Sequence, residues 1–392
     1  MTTKQIAVVC ALPGSPNTGM FTVDHAAFQF FREHFPDCET SFYALGDIGR
    51  HPFRSVLPFA LQALPQCFPA VLGADAIVYW GDFLHARNYW PAIARRLVDA
   101  GLSENERSAY DIVYRMFMLE GAAPETLAKA ILFGGTILTN TPNDLADARY
   151  AGALATLCAG AHAVLFRDHV STAQVSGHGV GQGCDAALLP LGRQNAEELR
   201  TEELRTKELI DSMGVFFGRA RTRETFHYHR LARNLARRLN AKARWISWLR
   251  ISPRAQWLAR VFGHRNTALA PSPQDALAQL ERTRFVVTDT YHLALNAWRR
   301  GIPAVCIGRR EDFSRDALTD RKKDVAYRML GAEDFYVFAD EIASVSGLRR
   351  QGARVAATLR NKAAIDAVIQ AVNLRGATTQ TRLIGALNTL IR

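Results

Sequence analysis

The fold class is decided by the stretch Arg284-Phe285-Val286-Val287-Thr288-Asp289-Thr290-Tyr291-His292-Leu293-Ala294, which is followed by Gly301-Ile302-Pro303-Ala304-Val305. The apolar, β-branched run at 285–288 predicts a buried strand, residues 291–300 predict a helix, and residues 304–307 predict a second strand. A strand, a helix and a strand in this order indicate a parallel βαβ unit with a right-handed crossover.

The same alternation of strands and helices continues on both sides of this unit. Further strands are predicted at 6–12, 40–44, 76–80, 131–138, 163–166 and 214–217, and further helices at 23–34 and 145–161. Between them, the repeated sequence Glu-Glu-Leu-Arg-Thr at 197–206 is polar on all sides, as is typical of an exposed connector. We therefore expect two doubly wound, Rossmann-like domains that face each other across a cleft.

The predicted domains have the following bounds. The N-terminal Rossmann-like domain covers 1–190, a charged helical linker covers 191–212, the C-terminal Rossmann-like domain with basic, tryptophan-rich helices covers 213–372, and a C-terminal helix covers 373–392. In sheets of this kind ligands bind at the carboxyl ends of the strands, so we expect the functional site in the cleft.

Composition restricts the class of protein. Of the 392 residues, 48% are hydrophobic and 22% charged, which excludes disordered and fibrous proteins. The apolar runs are too short to cross a bilayer, and the first of them is interpreted as a strand rather than a signal peptide. Six scattered cysteines without a Cys-x-x-Cys pair indicate reduced thiols and no zinc site. We therefore expect a cytoplasmic protein without a bound metal.

The net charge of +11 is concentrated in one segment. Residues 219–260 contain twelve lysines and arginines and one acid, Glu224, so the rest of the chain is neutral overall. One basic segment indicates one surface that meets an anionic partner. Three of the six tryptophans lie in the same segment, at positions 245, 248 and 257. Three interpretations of this segment remain open. It could dock at the inner face of an anionic membrane, form a groove for an acidic glycan or lipid-linked sugar, or be an ordinary solvated face. No nucleic-acid-binding module accompanies the charge.

His292 is the first candidate for a catalytic residue. It follows a buried strand that ends at Asp289, and it lies in the first turn of the next helix. This position brings a titratable imidazole to the carboxyl end of a strand and to the positive end of a helix dipole. A packing or capping role for His292 is the alternative.

The order strand, Asp-x-x-His, helix, Gly-Ile-Pro and strand resembles the signature of the polysaccharide pyruvyl transferase family. Other motifs follow in the order that this family shows, and the resemblance extends over most of residues 5–335. They are the Asn-x-Gly loop at Pro16-Asn17-Thr18-Gly19, the strand ending in a glycine turn at 76–82, the Arg-Asp-x-x-Ser motif at 167–171 and the Asp-Ala-Ala-Leu-Leu segment at 185–189, which resembles the family's Asp-Pro-Ala-Phe segment.

The resemblance implies a two-domain fold like that of GT-B glycosyltransferases. It also implies transfer of a pyruvyl group from phosphoenolpyruvate to hydroxyls of a glycan or lipid-linked sugar, giving a ketal. Phosphoenolpyruvate is then a co-substrate, and no other cofactor is implied. His292 would be the general acid that protonates the donor's methylene carbon, a role that suits an imidazolium.

The resemblance also implies residues that bind or support the anionic donor, which requires cationic groups. The residues matched to the family's donor-binding positions are Arg219, Asn17, Gly19 and Thr290, and the implied supporting residues are Asp289, Tyr291, Arg167 and Asp82. Arg309 is a further candidate for donor binding. With Arg282, Arg284 and Arg310, it is a nearby cation that could compensate for a missing family arginine. Thr290 departs from the family, which usually has an arginine there. Two alternative functions therefore remain. One is a transferase that uses a different donor, such as a nucleotide sugar, and the other is a non-catalytic relative that binds glycans or membranes.

Two other sequence patterns resemble binding sites, but we predict no site at either. The glycine-rich run at 176–183 does not follow the first strand of a βαβ unit and is predicted to be a loop rather than a phosphate-binding turn. His227 and His229 have metal-ligand spacing but no third ligand in view, so no metal site is predicted there.

Overall fold

A computed structural model describes residues 3–10, 17–45, 58–177, 179–190, 212–219, 222–264, 267–310 and 315–392. The chain divides into two units. The first unit comprises Met1–Ser15, Val23–Gly192 and Arg375–Arg392, and the second comprises Pro16–Thr22 and Arg193–Leu374. Nearly all of the predicted linker, 191–211, lies outside the described residues.

The first unit is built on a parallel sheet. Among the described residues it has seven strands in the order β3-β2-β1-β4-β5-β6-β7. The strands are β1 Gln5–Cys10, β2 Glu39–Ala44, β3 Leu61–Ala63, β4 Ala76–Asp82, β5 Ala130–Gly135, β6 Ala163–Phe166 and β7 Val180–Gln182. Every residue of β4 is buried, as expected for a central strand covered on both faces. The strand order reverses between β1 and β4, which makes this the topological switch point of the sheet.

Helices connect these strands. They are α1 Thr18–His34, of which the part up to Thr22 belongs to the second unit, α2 Leu64–Gly73, α3 Trp90–Asp99, α4 Glu106–Met118, α5 Pro124–Leu127, α6 Pro142–Ala146, α7 Ala148–Gly160 and α8 His169–Ala173. The single helix predicted at 145–161 is wrong, because two helices occupy this region. Asp147 interrupts the helical backbone with an extended conformation, and its side chain accepts a hydrogen bond from Tyr150 N to begin α7.

The second unit has its own parallel sheet. Its described strands follow the order β12-β11-β10-β8-β9, with a switch point between β8 and β10. The strands are β8 Ser212–Phe216, β9 Lys242–Trp245, β10 Phe285–Thr288, β11 Ala304–Gly308 and β12 Tyr336–Phe338. The helices are α9 Thr222–Arg238, α10 Pro253–Val261, α11 Pro273–Glu281, α12 Tyr291–Arg299, α13 Arg315–Met329, α14 Val345–Thr358 and α15 Lys362–Ile391, of which the part from Arg375 onward belongs to the first unit.

Several local predictions differ from the structure. The segment around Trp245 is the edge strand β9 rather than a helix, and its exposed Lys242 and Arg244 are residues that protect an edge from further pairing. The apolar segment 186–188, which follows the glycine-rich run, is a short 3₁₀ turn capped by Asp185. The helix predicted at 373–392 is the second half of α15.

The glycine-rich run at 176–183 contains β7, so the prediction of a loop throughout this run is wrong. A Cβ on Gly179 would stand 2.5 Å from His162 O, and one on Gly183 would stand 2.7 Å from Leu165 O. These glycines therefore allow the backbone to approach β6 closely.

No helix in the described part of the chain is both long enough and apolar enough to pass through a bilayer. None of the six cysteines is joined in a disulfide.

Candidate functional site at the switch point of the second sheet

Two loops meet at the carboxyl ends of β8 and β10. The Asp289 carboxylate, directly after β10, accepts hydrogen bonds from Gly218 N at 3.0 Å and from Arg219 N at 2.9 Å, both directly after β8. Thr288 Oγ1 in turn donates to Phe216 O at 2.8 Å. Asp289 is thus a positioning residue that holds Arg219 at the switch point, the place where doubly wound sheets bind their ligands.

His292 lies in the first turn of α12 at this edge of the sheet and is 7% exposed. The preceding Thr290 occupies the N-cap position, but its hydroxyl donates to Asp289 Oδ1 instead of capping the helix. The Tyr291 ring stands 5.0 Å from the His292 ring, and Lys322 Nζ lies 5.2 Å from the centre of Tyr291. Asp289, Thr290, Tyr291 and His292 are therefore brought together around the N-terminus of α12.

Residues 17–22 belong to the same unit and pack against α12. A Cβ on Gly19 would stand 2.6 Å from His292 Cβ, so only glycine allows this approach. Asn296 on α12 donates to Thr22 Oγ1 at 3.0 Å and to His292 O at 2.8 Å. The Asn17 side chain accepts a hydrogen bond from Met20 N, which places it in the same turn. The structure thus brings the predicted Gly19 to His292 and places the predicted Asn17 in the turn that contains Gly19.

Lys323 supports the site and was missed by sequence reasoning. Its buried ammonium donates to Asp289 O at 2.8 Å and Ile307 O at 3.1 Å, and pairs with Asp320 at 2.6 Å. Burial alone would lower the pKa of Lys323, but Asp320 and Asp289 raise it above its usual value. The charged lysine therefore ties the end of β10 to β11. Lys323 lies in a run of charged residues on α13, which in sequence resembles a solvated face.

Of the predicted donor-binding arginines, Arg219 is exposed and Arg309 is engaged in an ion pair. The Arg309 guanidinium forms two hydrogen bonds to the Glu224 carboxylate, at 2.9 and 2.7 Å. This pairing raises the pKa of Arg309, and the negative charge of Glu224 balances the positive charge of the guanidinium. Arg309 is thus held by Glu224, whereas Arg219 is an exposed residue.

The predicted supporting residues Asp82 and Arg167 lie in the first unit, at the carboxyl edge of its own sheet. Arg167 Nη1 is 3.0 Å from Asp82 Oδ1 and 2.9 Å from Asp185 Oδ2, and all three side chains are buried. The next residue, Asp168, caps α8 and accepts a hydrogen bond from Thr136 Oγ1 at 2.7 Å. The Arg-Asp-x-x-Ser motif therefore has a structural role in joining β4, β5 and β6.

A buried carboxyl at the switch point of the first sheet was also missed. Asp24 on α1 is fully buried, close to the Cys10 thiol and the Asp82 carboxyl group. Burial and the neighbouring Asp82 raise the pKa of Asp24 well above its usual value, while the Cys10 thiol opposes the rise. The protonated acid is therefore favoured. In sequence, Asp24 resembles a polar residue on the exposed side of an amphipathic helix.

We expect Asp24→Asn to stabilise the protein above acidic pH. A carboxyl whose pKa is raised on folding contributes stability that is lost as the pH rises from about 3.9 toward its folded-state value. The amide cannot ionise, so the variant should gain about 1.4 kcal/mol for each pH unit within that window. Thermal unfolding of both proteins at pH 5 and pH 8 measures the effect. The exposed Asp37→Asn is the control and should show no such pH-dependent gain; equal melting of Asp24→Asn and the parent at pH 8 would contradict the expectation.

His229, one of the two histidines with metal-ligand spacing, belongs to an aromatic cluster that also contains His264. The His229 ring is stacked on Phe262 at 4.8 Å and lies 5.4 Å from His264. Burial lowers the pKa of His229 to about 3 and that of His264 to about 4, so both are neutral at physiological pH. No group of three or more potential metal ligands is found in the described part of the chain.

Comparison with known proteins gives a fold but no family. No protein-family model matches the sequence, and no curated protein matches it. Solved structures do match. A protein from Listeria monocytogenes assigned as a UDP-N-acetylglucosamine 2-epimerase has a TM-score of 0.57 at 10% identity, with 99% of this chain and 96% of that chain covered.

Two further structures are similar over their full length. The UDP-GlcNAc 2-epimerase from Neisseria meningitidis, solved with UDP-GlcNAc bound, has a TM-score of 0.54 at 8% identity and 99% and 100% coverage of this and that chain. The α,α-trehalose 6-phosphate synthase from Burkholderia multivorans has a TM-score of 0.52 at 11% identity and 100% and 98% coverage. Together with the two parallel sheets, these similarities confirm the predicted fold class, two Rossmann-like domains of GT-B type.

Proposed function

We propose that this protein is a transferase acting on glycans, with a nucleotide sugar as its donor and His292 as its acid–base group. The observation that carries the proposal is the position of His292 at the switch point of the second sheet, next to the loop that contains Arg219. Doubly wound sheets bind nucleotides and other phosphate-bearing ligands at this position. The binding of UDP-GlcNAc by the Neisseria meningitidis enzyme of similar fold supports a nucleotide-sugar donor.

The groups at the site suit this chemistry. In the proposed reaction the acceptor hydroxyl gives its proton to the His292 ring, and its oxygen forms a bond to the anomeric carbon of the sugar. The bond between that carbon and the phosphate oxygen breaks, and the nucleoside diphosphate leaves with the electron pair. The N-terminus of α12 and the Arg219 guanidinium stabilise the negative charge of this leaving group. Thr290 leaves the helix N-terminus without a charged side chain of its own.

A second candidate donor is phosphoenolpyruvate, and the contact between Gly19 and His292 favours it. The loop 17–19 and the Asp-x-x-His motif both carry the resemblance to pyruvyl transferases, and they are distant in sequence but adjacent in the structure. In this reaction His292 protonates the methylene carbon of the donor. The oxygens of two acceptor hydroxyls bond to the adjacent carbon. Of the two protons that they lose, one returns to His292 and one leaves with the phosphate. Inorganic phosphate leaves with the electrons of its C–O bond, giving a ketal.

Isothermal titration calorimetry of the purified chain tests the proposal and separates the two donors. UDP-GlcNAc, UDP-glucose, GDP-mannose and phosphoenolpyruvate are titrated separately. Saturable binding of a nucleotide sugar supports the proposal, and Arg219→Ala should weaken it about tenfold or more because a charged hydrogen bond to phosphate is lost. Arg349→Ala, which removes another exposed arginine from α14 of the same unit, is the matched control and should bind normally.

Each other outcome decides against the main proposal. Binding of phosphoenolpyruvate without binding of any nucleotide sugar would replace it with the second candidate. In that case Thr290→Arg should tighten phosphoenolpyruvate binding, because it restores a cation at the helix N-terminus. Binding of neither donor class, or binding that Arg219→Ala leaves unchanged, would overturn the assignment of this site.

A further inference from the structure

An exposed apolar patch lies where α9 meets α10. Trp257 and Val261, one helical turn apart on α10, are 63% and 57% exposed, and Phe226 on α9 is 42% exposed. The Phe226 ring is 5.5 Å from the ring of Phe262, which directly follows α10. Five large apolar side chains are exposed in the part of the chain that the structure describes, and three of them lie here. We call Phe226, Trp257, Val261 and Phe262 the apolar patch.

Arginines surround the apolar patch. Arg230 Cζ lies 5.8 Å from the centre of the Phe226 ring, and Arg233 Cζ lies 5.8 Å from the centre of the Phe262 ring. Arg230 is half-buried and Arg233 is exposed, and the further exposed arginines on the same two helices are Arg223, Arg237, Arg238, Arg254 and Arg260. Aromatic and guanidinium groups are thus interleaved on one surface.

The charge of this surface is not neutralised by acids of the same segment. Residues 219–260 contain twelve basic residues and one acid, Glu224. The Glu224 carboxylate is bound by Arg309, which comes from outside the segment. The surface formed by α9 and α10 therefore combines strong positive charge with exposed apolar side chains.

We propose that the apolar patch and its arginines dock the protein onto the surface of a bilayer that contains anionic lipids. Such a surface offers negatively charged headgroups to the arginines and an acyl boundary to the tryptophan and phenylalanine rings. A soluble polyanion would pair with the arginines but would leave Val261 and most of Trp257 in water. The charge and the apolar area together therefore favour a bilayer, and the inference does not depend on the identity of the donor.

Vesicle sedimentation tests docking directly. The purified chain is mixed with phosphatidylcholine vesicles prepared with and without phosphatidylglycerol. We expect binding to the anionic vesicles only, and weaker binding at high salt because the electrostatic part is screened. Arg254→Gln combined with Arg260→Gln should weaken partitioning about thirtyfold, which corresponds to about 1 kcal/mol for each arginine near the surface. Trp257→Ala should weaken it about tenfold by removing the largest apolar side chain of the patch.

Matched variants control for charge and for apolar area. Arg349→Gln combined with Arg350→Gln removes the same charge from exposed positions on α14, and Val345→Ser removes an apolar side chain that is 52% exposed on the same helix. Both should bind vesicles like the parent. Circular dichroism and thermal unfolding of each variant establish that it is folded.

Tryptophan fluorescence gives a second, local readout. Trp257 is exposed, whereas the other five tryptophans are buried or half-buried. Its emission should shift to the blue on vesicle binding, and Trp257→Phe should bind vesicles but lose most of this shift.

The proposal is overturned if the chain does not bind anionic vesicles at low salt, or if the patch variants bind as well as the controls. Without vesicle binding, binding of soluble heparin that Arg254→Gln combined with Arg260→Gln weakens and Trp257→Ala leaves unchanged would instead identify a polyanion site on this surface.

Discussion

Replacing His292 with glutamine should lower the rate of donor breakdown by a factor of about 10² to 10⁴, the usual contribution of general acid–base catalysis. Glutamine can still form hydrogen bonds, but it cannot carry a proton between substrates. Its size also preserves packing better than alanine, since the His292 side chain lies directly against Gly19. The backbone contact from Asn296 to His292 O does not depend on the side chain and should hold α12 in place.

Phosphorus NMR measures this effect without knowledge of the acceptor. A donor that binds in calorimetry is incubated with the protein, and slow transfer to water is followed as release of nucleoside diphosphate or inorganic phosphate. His227→Gln is the matched control, because it makes the same chemical change on α9 of the same unit. Its rate should equal that of the parent.

Two results would remove His292 from the catalytic machinery. One is a rate for His292→Gln within about threefold of the parent rate, which leaves no transition-state interaction to assign to the imidazole. The other is loss of donor binding together with loss of activity, which would indicate that the histidine holds the local structure instead.

Replacing Arg167 with methionine should destabilise the first unit by about 3–5 kcal/mol, the usual result of removing one partner from a buried ion pair. The arginine lies between Asp82 and Asp185, and the side chains of all three are about 3–5% exposed. Methionine would fill much of the volume but would leave two buried carboxylates without their cation. Desolvation then favours unfolding or protonation of these groups.

Hydrogen exchange at neutral pH measures this loss where it occurs. β4 ends at Asp82, and β6 directly precedes Arg167. The amides of both strands should exchange faster, by the factor that corresponds to the lost free energy of unfolding. Arg149→Met is the matched control. Arg149 also contacts two acids, Asp111 and Glu120, but its side chain is 43% exposed, so the variant should lose about 1 kcal/mol or less. Equal effects of the two substitutions would show that burial does not set the strength of the Arg167 network.

The sequence predicted the parts of this fold that depend on neighbouring residues. The strand at 285–288 and the helix that begins at Tyr291 could be predicted because an apolar run and a helical pattern are local signals. The same reasoning failed near Trp245, where tryptophans and arginines fit a helix as well as an edge strand. Only pairing with β8 distinguishes these two structures.

The sequence by itself determined the α/β class, the two-domain division in outline and the position of His292 at the end of a buried strand. Only the tertiary structure decided which charged residues are engaged in ion pairs, because a pair such as Arg309 with Glu224 joins residues far apart in the chain. It also decided that Asp24 is buried as an acid and that Lys323 is buried as a cation. The physical reason is that desolvation and charge pairing depend on the three-dimensional surroundings of a group, whereas hydrophobic periodicity is written along the chain.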